Sequence, residues 1–354
     1  MTAHKTSKSP LRIGILGCAN IAKTFARDVA AMRKVRIVAA ASRRVETAAE
    51  FAAQFHIGRH YGSYEALLAD EGVDAIYLPL PNSMHAEWAI KAAQAGKHVL
   101  CEKPLALDLK QARAMFDAAR ANKVMLLEAY PYYFQPQTGA MVKILQGGEI
   151  GTVRSVQSFF GFTLSNPTGN IRLNPELGGG ALLDAGSYAL SVIRLAMGCA
   201  PTQVMADSNW AATGVDISTM ATLYYADGRR AQLSCAMDAA NHRRAVIVGS
   251  GGTLETEYIN HTHPAGVPAA ANPHGYLPSQ LRVRRGIANT VAFEEIVSPG
   301  GSGFRFAAEA FADVVAAKDF EAIERAAQAS LDNAATLDAM ARSARSGTKV
   351  AVEV

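Results

Sequence analysis

The sequence predicts an α/β domain with a doubly wound parallel sheet, followed by an α+β domain rich in strands. From Leu11 to Glu128, short apolar runs alternate with Ala-rich helical periods, the pattern of successive strand–helix–strand units. Beyond Glu128 the texture changes to β-branched and aromatic stretches of strand length. A chain of 354 residues is also too long for one ordinary core. The expected division is a polar tail at 1–10, a first domain at 11–128 and a second at 129–354, whose last segments are free to pack back on the first.

Within the first domain, 12–16, 36–41, 75–78, 98–101 and 124–127 are nearly continuous apolar runs and read as buried parallel strands. The intervening segments 21–32, 46–55, 63–68, 85–95 and 109–121 have helical period. Right-handed crossovers then bring every strand's C-terminal end to one edge, where ligands bind. In the second domain a helix at 137–145 leads to strands at 153–162, 202–210, 218–225, 231–237, 245–248 and 253–257. Asp227-Gly228 suits a hairpin turn between two of them. A helix at 181–197 interrupts the run and stops at Gly198. Residues 258–280 lack any period and read as a long loop; helices at 304–317 and 321–344 and a strand at 349–354 follow.

Composition narrows the function. A hydrophobic fraction of 49% with 19% charged residues is that of a globular protein, and no run approaches the length of a membrane span. The segment Met1 to Pro10 lacks the apolar core of a signal peptide, so a cytoplasmic location is expected. Cys18, Cys101, Cys199 and Cys235 are widely spaced, as reduced cysteines would be. A net charge of +4 is small and dispersed, and Arg282-Val283-Arg284-Arg285 alternates like an exposed strand, so no nucleic-acid partner is expected. His261-Thr262-His263 has no Cys or acidic cluster beside it, so no metal is expected either.

Gly17-Cys18-Ala19-Asn20-Ile21-Ala22 follows the first strand and opens the first helix. It is a relative of G-x-G-x-x-G with Ala in the second and third glycine positions. Small residues permit the tight turn and the approach of a pyrophosphate to the helix N-terminus, which points to a dinucleotide-binding Rossmann domain. An NAD enzyme usually places an acid at the end of the second strand, on the ribose hydroxyls. Here the chain offers Ala41-Ser42-Arg43-Arg44, a hydroxyl beside guanidinium groups, which suits a 2′-phosphate and therefore NADP rather than NAD.

Cys101-Glu102-Lys103-Pro104 ends the 98–101 strand on the ligand edge, where Glu102 can bind a cofactor ribose. Pro81-Asn82-Ser83-Met84-His85 ends the preceding strand on the same edge, so Pro81, Asn82 and His85 are expected to contact the cofactor. The second domain offers Gly178-Gly179-Gly180-Ala181-Leu182-Leu183-Asp184-Ala185-Gly186-Ser187-Tyr188. Its three glycines let backbone approach a ligand, and Asp184 and Tyr188 share one helix face. Gly186 between them suggests close packing.

These motifs, in this order and covering nearly the whole chain, resemble the glucose–fructose oxidoreductase / inositol dehydrogenase / rhizopine catabolism (Gfo/Idh/MocA) family. The resemblance implies a Rossmann domain and an open-faced, mostly antiparallel sheet domain. It further implies sugar- or polyol-class substrates, and homodimers or homotetramers through the open sheet. Tyr188, where many members carry His, resembles the branch of glucose–fructose oxidoreductase, dimeric dihydrodiol dehydrogenase and NADP-dependent xylose dehydrogenase. That branch mostly uses NADP. Relatives commonly have Arg-Phe-His where this chain has Tyr133-Phe134-Gln135, so the individual substrate does not carry over.

The expected reaction moves a hydride between nicotinamide and a carbinol or carbonyl carbon, with Tyr188 as general acid/base. Lys103 would favour the phenolate and orient the substrate oxygen, and Asp184 would hold a substrate hydroxyl or Lys103. Tyr133 and Arg172 are further substrate-side candidates. Sugar-nucleotide ketoreduction, trans-dihydrodiol oxidation and a non-catalytic NADP-sensing regulator are the competing functions.

Overall fold

A computed structural model describes residues 9–264 and 266–354, so residues 1–8 of the expected polar tail lie outside it. Six strands form the first sheet: Leu11–Leu16 (β1), Val35–Ala41 (β2), Arg59–Tyr61 (β3), Ala75–Leu78 (β4), His98–Glu102 (β5) and Leu126–Ala129 (β6). All pairs are parallel, in the order β3-β2-β1-β4-β5-β6. Helices Asn20–Val29 (α1), Val45–Gln54 (α2), Tyr64–Leu68 (α3), His85–Gln94 (α4) and Leu109–Ala121 (α5) connect them. Ile13, Ile15, Ile76, Tyr77 and Leu78 are wholly buried, as strands covered on both faces must be. The strand order reverses between β1 and β4, which opens a crevice at their C-terminal ends. The three-residue β3 escapes sequence reading because only residues 59–61 pair, and with β2 alone.

The second half begins with Pro136–Gln146 (α6) and Val153–Thr163 (β7). After Ser187–Met197 (α7) come Gln203–Trp210 (β8), Asp216–Tyr224 (β9), Arg230–Ala236 (β10), Asp238–Gly249 (β11) and Gly252–Thr256 (β12). Then follow His261–Thr262 (β13), Leu281–Arg285 (β14), Glu294–Glu295 (β15), Gly301–Ser302 (β16), Gly303–Ala317 (α8), Phe320–Ser346 (α9) and Val350–Ala351 (β17). Nine strands form one sheet in the order β15-β14-β12-β11-β7-β10-β9-β8-β17. Every neighbouring pair is antiparallel except β7 and β10. One face is apolar: Val156, Val204, Leu223, Leu233, Ile247 and Leu254 bury in a core shared with α7. On the opposite face Met205 and Met220 are exposed.

Strand β11 is longer than its apolar stretch because its polar first half pairs with β7 across a register shift. The loop expected at 258–280 contains β13, which pairs with β16. The arginines of β14 are taken up within the protein: Arg282 pairs with Glu255, Arg285 with Glu149 and Glu294, and Arg282 and Arg284 lie over Phe293. Helices α8 and α9 return to the first sheet. Phe304, Ala308 and Phe311 of α8 join its core, while α9 places Ala327 and Ala334 there and Leu337 and Met340 in the other core. Among the described residues no helix is long and apolar enough to cross a membrane.

Candidate active site

The turn after β1 places Gly17 at φ +117°, and a Cβ there would lie 2.6 Å from Leu80 Cδ2, so only glycine fits. Its N–H donates to the carbonyl of Ala41. Ala19 stands at the N-cap of α1 and supplies no side-chain cap, and the first turn holds no acid. The leading N–H groups of α1 are therefore available to an anion. Ala19, Asn20 and Ile21 line a cavity of about 700 Å³ that continues past Pro81, Asn82, Glu102 and Lys103 to Asp184 and Tyr188. Cys18 packs its thiol 3.6 Å from the Ala41 carbonyl, and burial pushes its pKa up to about 11, which leaves it neutral and unreactive.

Ser42, Arg43 and Arg44 follow β2 outside that cavity. Arg44 spends its guanidinium on Thr47 Oγ1, 2.9 Å away, and so belongs to the start of α2. Arg43 is exposed beside Tyr64: burial raises that phenol, and the neighbouring guanidinium offsets part of the rise. No acid stands at the end of β2.

Of two further expected cofactor contacts, one is turned away from the cavity and one lines it. His85 is fully buried, its ring nitrogens 2.8 and 2.9 Å from the carbonyl oxygens of Leu80 and Pro104, so it ties two loops together and does not face the cavity. Asn82 lines the cavity but donates to the carbonyl of Gly178 at 2.8 Å, joining the domains. Glu102 also lines it. One carboxylate oxygen accepts from Tyr77 at 2.6 Å, and burial pushes its pKa up to about 7.

At the far end, residues 182–186 form one π-helical turn leading into α7, a distortion common at functional sites. Lys103 Nζ donates to Asp184 Oδ1 at 2.7 Å and to the Asp184 carbonyl at 2.9 Å. Arg172 Nε donates to Asp184 Oδ2 at 2.5 Å. Burial would raise the Asp184 carboxyl, but the two cations reverse this and hold it well below the usual range. Burial likewise opposes the charge on Lys103, yet Asp184 keeps that ammonium above its ordinary value.

Tyr188 is 6% exposed, packed edge-on against Tyr130 and Phe160, with its hydroxyl accepting from Asn260 Nδ2 at 3.1 Å. Lys103 Nζ lies 4.8 Å from its ring centroid. Burial raises the phenol and outweighs the pull of Lys103, so Tyr188 rests protonated. Lys103 does favour the phenolate, as expected, but with its ammonium directed at Asp184 it does not overcome the burial.

The glycines also meet a packing constraint beyond the expected ligand approach. A Cβ on Gly179 would lie 2.5 Å from the Arg172 carbonyl, and one on Gly180, at φ +117°, would lie 2.2 Å from Asp216 Oδ1. They line the cavity, but what demands glycine is protein packing, with Asp216 accepting from the N–H of Leu182. Tyr133 is corrected outright. The short turn Pro131–Phe134 buries Tyr132 and sends Tyr133 to a separate small cavity beside Arg194. Gln135, where relatives commonly have His, donates to the carbonyls of Asn260 and Gly301 and thereby anchors the segment that reaches Tyr188.

Sequence reasoning missed Phe160, Phe162, Arg243 and Asn260, which complete the cavity wall. Among the described residues no cluster of His, Cys, Asp or Glu is arranged to hold a metal ion; His261 instead pairs with Asp28 at 2.7 Å.

Residues 11–130 match the oxidoreductase family model with an NAD-binding Rossmann fold, and 139–255 match the GFO/IDH/MocA C-terminal domain. The chain is 33% identical over 343 residues to D-xylose 1-dehydrogenase (NADP(+)) 2 of Haloferax volcanii, covering 97% of this chain and 100% of that one. It is 34% identical over 248 residues to trans-1,2-dihydrobenzene-1,2-diol dehydrogenase of Danio rerio, covering 69% and 74%. The crystal structure of a 3-ketoreductase from Actinomadura kijaniata in complex with NADP and TDP-benzene superposes with a TM-score of 0.81 at 32% identity, covering 95% of this chain and 98% of that one. With both domain models matched and full-length similarity to the xylose dehydrogenase, this chain belongs to the Gfo/Idh/MocA oxidoreductase family.

Proposed function

We propose that this oxidoreductase uses NADP(H) to interconvert a carbinol and a carbonyl on an aldose, sugar derivative or polyol, with Tyr188 exchanging the proton at the reacting oxygen. The observation that carries the reading is the joint placement of Lys103, Asp184 and Tyr188 in a cavity that begins at the uncapped N-terminus of α1. The names of the Haloferax relative and the Actinomadura complex, both citing NADP, support the cofactor, as do Ser42 and Arg43 in place of an acid. Residues 11–128 would serve as the cofactor domain and 129–354 as the substrate domain. The exposed sheet face with Met205 and Met220 would join copies into a homodimer or homotetramer.

The N–H groups at Ala19 to Ile21 would take the pyrophosphate, Arg43 the 2′-phosphate, and Pro81, Asn82, Glu102 and Lys103 would flank the nicotinamide half. When bound, the nicotinamide supplies the two-electron donor or acceptor. The chain's own residues manage the proton. An ammonium has three donors, and Asp184 takes two of those on Lys103, which leaves one to orient the substrate oxygen. Tyr188, protonated at rest, gives its proton to a carbonyl oxygen during reduction and recovers one from the alcohol during oxidation. The aromatic wall of Phe160, Phe162 and Tyr188 limits water around the reacting oxygen.

The test is a panel of aldoses and polyols followed by NADPH absorbance. Tyr188→Phe should retain NADP affinity while kcat falls by about 10²–10⁴, the usual worth of a general acid–base group. A near-normal kcat in that variant would return Tyr188 to a packing role.

A further inference from the structure

We infer that the natural substrate carries a carboxylate or phosphoryl group near the reacting carbon, and that Arg243 recognises it. The inference rests on the oxidoreductase reading of this cavity and adds the charge class of the substrate.

The charges around the cavity do not balance. Lys103, Arg172 and Arg243 line it, and Asp184, bonded to the first two, is the carboxylate that faces them. Glu102, the other acid on the wall, is shared with Tyr77. The Arg243 guanidinium has no ion pair or hydrogen bond among the described residues. The arginines around it on the sheet are otherwise occupied: Arg244 and Arg282 share Glu255, and Arg285 holds Glu149 and Glu294.

Arg243 is also positioned. It lies opposite Phe160 in the β11–β7 register, with its guanidinium carbon 4.1 Å from that ring centroid and 5.9 Å from the centroid of Tyr188. A guanidinium stacked on an aromatic face keeps its N–H edge free for a planar or tetrahedral anion, and bidentate pairing with carboxylate or phosphate is its preferred use. A half-buried cation without a counter-charge is costly. An anion on the substrate would remove that cost, within reach of an oxygen held by Tyr188. The groups beside Arg243 are the rings of Phe160 and Tyr188 and the phenol of Tyr258, which burial holds protonated, and none of them carries charge at neutral pH.

The test uses NADP-loaded protein and calorimetric titration with glucose, gluconate, glucuronate, glucose 1-phosphate and glucose 6-phosphate. At least one anionic sugar should bind about tenfold or more tighter than glucose, the worth of one charge-assisted hydrogen bond. The tighter member of the set distinguishes carboxylate from phosphoryl. Arg243→Gln should erase the difference and Arg243→Lys should keep part of it, with NADP affinity unchanged in both. The inference is overturned if no anionic sugar exceeds glucose, or if Arg243→Gln keeps the preference. It is also overturned if that variant shifts only the pH profile of turnover, which would assign Arg243 to Tyr188 ionisation. Anion preference without turnover of any sugar would instead count against the oxidoreductase reading and leave the anion site standing.

Discussion

Replacing Asp184 with Asn tests whether this carboxylate is what keeps Lys103 charged. The substitution preserves shape and leaves the 2.9 Å bond from Lys103 to the main-chain carbonyl, but removes the charge behind the 2.7 Å and 2.5 Å contacts with Lys103 and Arg172. Removing one partner of a buried pair costs about 3–5 kcal/mol. The Arg172 side chain is 40% exposed and recovers water, so its share falls toward the surface value of about 0–1 kcal/mol. The Lys103 side chain is only 11% exposed and bears most of the loss. The expected destabilisation is about 3 kcal/mol, or roughly 6–12 °C in Tm for domains of this size.

The pH dependence separates this from ordinary loss of packing. In the native protein Lys103 titrates above its ordinary 10.5, so its stabilising contribution is full below that pH and is lost only as pH rises through the higher folded value. Without Asp184, burial dominates and the folded value drops below the unfolded one. Stability in the variant should then rise with pH across the alkaline range as the ammonium discharges. Turnover should fall over the same range, because the oxygen-orienting donor loses its charge. Melting curves and kcat measured from pH 6 to 10 provide the assay. A variant with no new alkaline limb in kcat and the same pH slope of Tm as the parent would refute the pairing argument.

Two further outcomes follow from the cofactor side of the cavity. Arg43→Ala should weaken NADP by roughly tenfold to over a hundredfold, the range for a hydrogen bond to a charged group, while NAD affinity stays nearly constant; equal losses in fluorescence titrations would remove Arg43 from the 2′-phosphate. Glu102, pushed up from 4.5 to about 7 by burial, keeps its proton in the folded state where the unfolded chain has lost it, so the parent should lose stability as pH rises between those values. Glu102→Gln should flatten that decline in a series of melting curves; an unchanged slope would show that other groups cause it.

The parts of the site that were legible in the sequence are those where one short segment carries both the backbone requirement and the chemistry. Gly17 to Ile21 forms its turn and its helix start within five residues, and Lys103 stands directly after a buried strand. Asp184 and Tyr188 share one helical stretch even though a π turn widens it. Tyr133 was misread because a short turn alternates burial in a way no period reveals: Tyr132 goes inward and its neighbour outward. Arg243 and Asn260 were invisible for another reason. Arg243 reaches the cavity only through the register of β11 against β7, which shifts between Asp238 and His242, and Asn260 arrives there because Gln135 fastens its backbone. Both depend on contacts between segments about 80 to 125 residues apart.

The same distinction explains why the cavity depends on both domains. Its walls meet at two direct links, Asn82 to the Gly178 carbonyl and Lys103 to Asp184, and each joins a loop at the ligand edge of the first sheet to the glycine-rich segment before α7. Helix α9 fixes the same pair of bodies from behind, contributing to both cores and bonding Ser330 to Glu128 and Glu324 to Arg120. At the front, His261 and Ser302 both hold Asp28 of α1, so the segment carrying Asn260 is tied to the helix whose N-terminus faces the cofactor position. Tyr188 is therefore placed by groups from three separate stretches: Lys103 beneath its ring, Asn260 on its hydroxyl and Phe160 at its edge. A tyrosine held this way keeps its proton at rest, which the proposed proton transfer to a substrate oxygen requires. On the proposed reading, Tyr188 and the N–H of Lys103 that Asp184 leaves free meet the substrate oxygen, while Arg243 is left for an anionic group beside it.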